Sequence, residues 1–175
     1  IPTFNELYYN QIGNTNLKPE IANQINLGTK YEFSFKRTKI QLELAAYYNQ
    51  VENKIVAIPI KNLFVWSMQN IGKAEILGSD IQFNYTYSLN NWKMSTNLNY
   101  SFQQVQDLTD LSSPTYGHQL PYLPKHTGNI TATIQYKQLG ISYSSMLTSK
   151  RYALNENITA NQIDGFMVHD ASAFY

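Results

Sequence analysis

The sequence predicts an all-β protein, an antiparallel meander of about seven strands that forms an arc of a larger transmembrane β-barrel. Three observations carry this. Apolar and polar residues alternate over long stretches, the connections between those stretches run short, long, short, long, and no run approaches the roughly 18 apolar residues of a membrane helix. The longest apolar runs are only IVAIPI (55–60) and LFVW (63–66).

The first strand, 21–35, sets Ile21, Ile25, Leu27, Tyr31, Phe33 and Phe35 against Gln24, Asn26, Lys30, Glu32 and Ser34, with Asn23 and Thr29 interrupting the apolar row. The second, 39–52, opposes Ile40, Leu42, Leu44, Ala46 and Tyr48 to Lys39, Gln41, Glu43 and Asn49. The third, 73–87, opposes Leu77, Ile81, Phe83, Tyr85 and Tyr87 to Asp80, Gln82, Asn84 and Thr86. The fourth, 90–102, alternates most cleanly: Trp92, Met94, Thr96, Leu98, Tyr100 and Phe102 lie over Lys93, Ser95, Asn97, Asn99 and Ser101. In the fifth, 125–136, Ile130, Ala132, Ile134 and Tyr136 face away from a row of Lys, Thr, Asn and Gln. The sixth, 141–152, is weaker, because Ile141, Tyr143 and Leu147 share their side with Ser145 and Ser149. The last, 164–175, alternates poorly in either register.

The tight connections are 36–38, 88–91 and 137–140, where Asn90, Asn91 and Gly140 tolerate the positive φ of hairpin turns. The long ones are 53–72, 105–124 and 153–163, and residues 1–19 read as the remnant of another. Outer-membrane barrels have this asymmetry, with short periplasmic turns, long extracellular loops, an apolar band facing lipid, aromatic girdles and a polar interior. A soluble sandwich whose inner face is the apolar row is the alternative; the rim asymmetry and the uniformly polar reverse faces favour the barrel. Seven strands do not close, since a barrel leaves no edges open and bacterial single-chain barrels use even counts.

Composition limits the function. The 175 residues are 43% hydrophobic and 14% charged, with a net charge of +1, so no basic face points to nucleic acid. Cysteine is absent, which removes disulfides and thiolate metal sites. The 14 Tyr, 8 Phe and 2 Trp are many amphipathic rings for one domain, and such rings favour places with one dry and one wet end. A negative mean hydropathy is compatible with a barrel, because half of each strand faces a polar interior. The chain opens on IPTFNELYYN without an initiator Met or signal peptide and is expected to be a piece of something longer.

No catalytic or metal-ligating constellation is found. His118, His126 and His169 are far apart and lack metal-site spacing, and no nucleophile elbow accompanies the Ser, His and Asp present. Glu43, Glu75 and Asp80 are expected in the lumen, with Lys39, Lys73 and Lys93 available as partners.

Several stretches carry a family resemblance: PTFNELYY (2–9), NTNLKPE (14–20), YYNQVENKI (47–55), NIGKAEILGSDIQ (70–82) and LPYLPKHTGN (120–129). In this order and separation the chain resembles the C-terminal half of a TonB-dependent outer-membrane receptor, with Asp80 in the acidic position of the Asn-x-Gly-x-x-x-x-x-Gly-x-(Asp/Glu) stretch. The resemblance implies a 22-stranded barrel in the outer membrane of a Gram-negative bacterium, filled by a plug domain of the same full-length chain. It implies import of a scarce ligand such as a ferric siderophore, haem or cobalamin, driven by the TonB complex. Residues 1–175 would be the C-terminal part of that barrel, in contact with outer-membrane lipid, with plug and closing strands outside the chain. No enzyme activity and no cofactor is implied. A porin- or adhesin-like barrel and a soluble all-β carbohydrate-binding module are the rival readings. Ligand contacts are expected from aromatic loop residues, Phe64 and Trp66 in one loop and Tyr116, His118 and Tyr122 in the next; the alternative for residues 63–68 is that they extend the neighbouring strands above the membrane and pack between loops.

Overall fold

The computed structural model describes residues 1–59 and 64–175. After a five-residue helix α1 (Phe4–Tyr8) come strands β1 (Ile21–Phe35), β2 (Thr38–Pro59), β3 (Trp66–Leu89), β4 (Trp92–Asp107), β5 (His126–Tyr136) and β6 (Leu139–Thr148). A two-residue pair, β7 (Arg151–Tyr152) and β8 (Gln162–Ile163), flanks a 3₁₀ turn before β9 (Phe166–Phe174). Seven strands form one antiparallel sheet in the order β1-β2-β3-β4-β5-β6-β9. The predicted meander is therefore present, and the poorly alternating last segment joins it as β9.

The register aligns the apolar rows. Tyr31 lies opposite Leu42, Leu42 opposite Phe83, Phe83 opposite Leu98, and Leu98 opposite Ile130. A one-residue slip would turn every row to the other face, so the patterning specifies the pairing. These rows are not clasped by a second layer: Ile25, Leu27 and Ile141 are 71%, 77% and 66% exposed. That rules out the two-layer soluble sandwich, which would bury them. On the reverse face a hollow of about 810 Å³ runs across β1 to β6, from Lys30 through Glu43, Asp80 and Asn99 to Thr148. A flat sheet has no such hollow; the arc curves around its polar side.

The polar face is knit by its own side chains. Lys30 pairs with Glu43 at 3.0 Å and Glu32 at 3.1 Å, Ser101 Oγ donates to Asp80, and an Asn84–Asn97–Asn99 chain crosses β3 and β4. Two of the expected lumen carboxylates are there, but their partners are Lys30 and Ser101 rather than Lys39, Lys73 or Lys93. Glu75 is instead level with the apolar row and accepts from Tyr48 Oη at 2.7 Å. Two glycines on the inner face sit beneath aromatic rings of the opposing strand. A Cβ on Gly78 would fall 2.1 Å from Tyr47 Cζ, and one on Gly140 would fall 2.2 Å from Phe174 Cζ. This explains the weak alternation of β9, whose Phe174 points inward to cover Gly140.

At the short-turn rim the outward aromatics gather. Trp92 and Tyr136 rings lie 4.8 Å apart, and Lys36 and Lys137 reach over Phe35 and Tyr136. From Trp92 to Phe102 the chain climbs roughly 33 Å at ~3.3 Å per residue, or about 25 Å of thickness at a tilt of ~40°. That matches an outer-membrane apolar band. The turns are tighter than expected, with Phe35 paired to Thr38, Leu89 to Trp92 and Tyr136 to Leu139. Lys36, Asn90 and Lys137 take the positive φ (50°, 54°, 54°), while Gly140 is paired within β6.

The other rim differs from expectation: the sixth strand, expected to reach 152, stops at Thr148, the fourth runs on to Asp107, and the first long connection is shorter. Most of the expected 53–72 loop is strand, because β2 runs on to Pro59 and β3 starts at Trp66, so from Trp66 on the strand-extension alternative holds. Residues 1–20 dock on this extension. A capping box between Thr3 and Glu6 starts α1, Met68 N–H donates to Ile12 O at 2.8 Å, and Lys18 N–H donates to Asn70 Oδ1 at 2.8 Å. Glu20 accepts from Lys54 Nζ at 3.0 Å and from Ile55 N–H at 2.7 Å. The NTNLKPE and NIGKAEILGSD stretches are thus one structural unit.

Candidate functional site

Among the described residues, the deeply buried apolar side chains all lie at this long-loop rim: Val51, Ile55, Ala74, Val105 and Leu120. Alternation puts Ala74 and Val105 on the polar, concave face, and Leu120 covers them, with Ile76 and Leu123 alongside. The 108–125 loop therefore turns back beside β4 at the barrel mouth, where its Leu120 side chain packs on the inner face. Its backbone follows β4 while doing so, with Leu120 N–H donating to Val105 O at 2.9 Å and Gln103 N–H to Lys125 O at 2.9 Å.

The 149–165 loop is tied to it by polar contacts. Gln119 N–H donates to Asn157 Oδ1 at 2.6 Å and Asn157 Nδ2 returns a bond to Gln119 O at 3.0 Å. Asn155 Nδ2 donates to Asp107 Oδ2 at 2.7 Å, and Tyr122 N–H to Tyr152 O at 2.8 Å. His118 Nδ1 lies 2.9 Å from Asn155 O. Asn157 N–H also lies 3.4 Å from Nδ1, so His118 works as a brace between the loops in either ring tautomer. In the neighbouring turn Asp110 accepts from Ser112 Oγ and N–H, which hold its carboxyl below the usual aspartate range.

The structure brings two of the five sequence-predicted residues into ring contact. Trp66, at the start of β3, and Tyr122, in the 108–125 loop, have centroids 5.7 Å apart. Tyr122 holds a positive φ of 61°, a left-handed conformation that a tyrosine occupies only when its surroundings enforce it. Its N–H bond to Tyr152 and its ring contact with Trp66 are that enforcement. Tyr116 is partly exposed in the same loop, and Phe64 is 91% exposed at the end of the β2–β3 connection. The remaining histidines meet tyrosine hydroxyls, His126 with Tyr100 at 2.7 Å and His169 with Tyr143 at 2.8 Å. Among the described residues no cluster of His, Asp and Glu could hold a metal. The sequence reading missed the asparagines that lock the loops and a group of cations, Lys125, Lys150 and Arg151, at adjoining strand ends. The signal for the latter was present: PKH and SKR stand at the matching ends of consecutive strands.

The family model for TonB dependent receptor-like β-barrels matches residues 1–175. The chain belongs to the TonB-dependent receptor β-barrel family. It is 36% identical over 81 residues to the vitamin B12 transporter BtuB of Vibrio vulnificus (strain YJ016), a match that covers 46% of this chain and 13% of the relative. Its fold is similar to that of the copper transporter OprC, with a TM-score of 0.66 at 17% identity over 99% of this chain and 26% of the other. The ferric-catecholate import receptor Fiu from K12 E. coli gives 0.65 at 20% identity over 95% of this chain and 23% of the other. The segment thus spans about a quarter or less of the relatives it matches. It is an arc of an outer-membrane barrel of the Gram-negative type, and these relatives are named as transporters and receptors, not enzymes.

Proposed function

We propose that this segment forms part of the wall and outer rim of an active importer, a 22-stranded barrel in which residues 1–175 belong to the C-terminal part. A plug domain elsewhere in the full-length chain fills the bore, and the TonB complex supplies energy. The observation that carries this reading is the 108–125 loop, turned back beside β4 with Leu120 packed on the concave face and braced to the 149–165 loop. A receptor needs rigid loops that present side chains to a ligand, and these loops are held rigid by one another. Trp66 and Tyr122 are the ligand-contacting pair, with Tyr116 and Phe64 beside the entrance, and His118 holds the loop that carries Tyr122. The names of the relatives, which mention vitamin B12, copper and ferric catecholate, support a metal-bearing cargo of the siderophore or cobalamin class.

The test uses the full-length receptor. Trp66→Ala and Tyr122→Ala should each weaken binding of cyanocobalamin or a ferric catecholate, whichever the receptor takes, by roughly tenfold, as loss of a stacking ring does. Deleting TonB should abolish uptake while leaving binding intact. Uptake that persists without TonB would return the protein to the passive-pore reading, and unchanged affinity in both variants would remove the aromatic pair from the site.

A further inference from the structure

Between the braced loops, at the outer ends of β5 and β6, lies a second cavity of about 330 Å³. Lys125, Lys150, Arg151 and His126 line it, and no carboxylate does among the described residues. None of the three permanent cations there belongs to the ion pairs found among the described residues. Arg151 is held over the Phe166 ring at 6.0 Å, and its Nη1 is buried without a hydrogen-bond partner. An unpaired guanidinium nitrogen taken out of water is costly, and the planar fork matches a carboxylate or phosphate. Gln119, only 4% exposed, also lines the cavity. Its Nε2 is spent on Leu123 O at 2.9 Å, which leaves Oε1 buried and unpartnered.

The two orphaned atoms ask for opposite things: Arg151 for an acceptor, Gln119 for a donor. An anion without a proton, such as sulfate, meets the first need alone, while a phosphate or carboxylate on a hydroxylated carrier meets both. The walls are already set. Ser149 N–H donates to His126 O at 2.9 Å, His126 N–H to Ser149 Oγ at 3.0 Å, and Asn157 clamps both polar groups of the Gln119 backbone. A volume near 300 Å³ is at the small end of ligand pockets and suits one charged sugar-sized group.

We propose that this cavity is a binding site for an oxyanion carried on a hydroxylated scaffold, such as a sugar phosphate, with Arg151, Lys150 and Lys125 neutralising the anion and Gln119 Oε1 accepting from a neighbouring hydroxyl. The same chemistry is offered by a free solute and by the phosphorylated glycolipid headgroups of the outer leaflet. The site needs only the folded loops and is independent of how transport is energised.

The experiment takes full-length receptor in detergent, wild type and three variants: Arg151→Gln, Gln119→Glu, which adds a negative charge to the cavity lining, and Lys39→Gln at the opposite end of the sheet as control. Retained heat-modifiable migration in gels confirms folding. Glucose 6-phosphate is titrated against glucose by ³¹P and ¹H line broadening, and phosphorylated glycolipid that co-purifies is measured by mass spectrometry. A site open to solutes binds glucose 6-phosphate and not glucose, and Arg151→Gln and Gln119→Glu weaken it roughly tenfold to a hundredfold while Lys39→Gln does not. A lipid site shows instead co-purified glycolipid that falls several-fold in the same two variants. The proposal is overturned if wild type holds neither ligand, if glucose binds as well as its phosphate, or if the two variants behave as wild type.

Discussion

Leu98→Arg in the full-length receptor tests the face assignment quantitatively. Leu98 stands between Phe83 and Ile130 in the outward row, about midway between Trp92 at the short-turn girdle and Phe102 at the other rim. An arginine there meets acyl chains near the bilayer midplane, where such a charge costs about 2 to 4 kcal/mol. The adjacent Asn97 faces the bore and is bonded to Asn84 and Asn99. Asn97→Arg sacrifices those contacts, which together contribute about 1 kcal/mol where water can replace them, and leaves the new guanidinium hydrated. The expected gap between the variants is therefore about 1 to 3 kcal/mol. Equilibrium urea titrations of folding into lipid vesicles, followed by gel mobility, read it directly. Equal penalties, or a larger one for Asn97→Arg, would refute the assignment of lipid to the apolar row.

The other expectations concern packing and the rim. Gly78→Ala should cost about 1 to 3 kcal/mol, because its Cβ would lie within 2.1 Å of the Tyr47 ring and force it aside, and Tyr47→Ala combined with it should recover part of that loss. At Glu20, partial burial works against the charge, but Ile55 N–H and Lys54 hold the carboxyl below the ordinary glutamate value of 4.5. A depressed folded value means that its stabilisation is complete above the ordinary value and is lost as pH falls through the lower one. Hydrogen exchange at the Ile55 amide should accelerate on acidification across that range, beyond the intrinsic pH trend, and Glu20→Gln should remove the excess.

The strands were legible because lipid on one side and water on the other impose a period of two that nothing else in the chain imitates. That signal fades where one of the two solvents is missing. Above the membrane β2 and β3 face no lipid, so NKIVAIPI carries no alternation and reads as loop, although it is strand to Pro59. Near the end, β9 breaks the pattern because an inward aromatic covers Gly140. At the rim, Trp66 and Tyr122 were recognisable as large rings in loops, but their contact depends on two connections far apart in the chain. Least legible was the brace. Its bonds run through backbone groups and through Asn155, Asn157 and Gln119, residues common in any loop, and only the folded backbone shows which of them meet.

The most direct test of the lipid-facing assignment is depth-resolved quenching along β4. A fluorophore placed in turn at Met94, Ser95, Asn97, Leu98, Asn99 and Tyr100 of the full-length receptor would be challenged with brominated acyl chains and with aqueous iodide. Strong quenching by bromine at 94, 98 and 100, with weak quenching at 95, 97 and 99, is the required result. Bromine quenching without that two-residue period, or with its phase reversed, would contradict it.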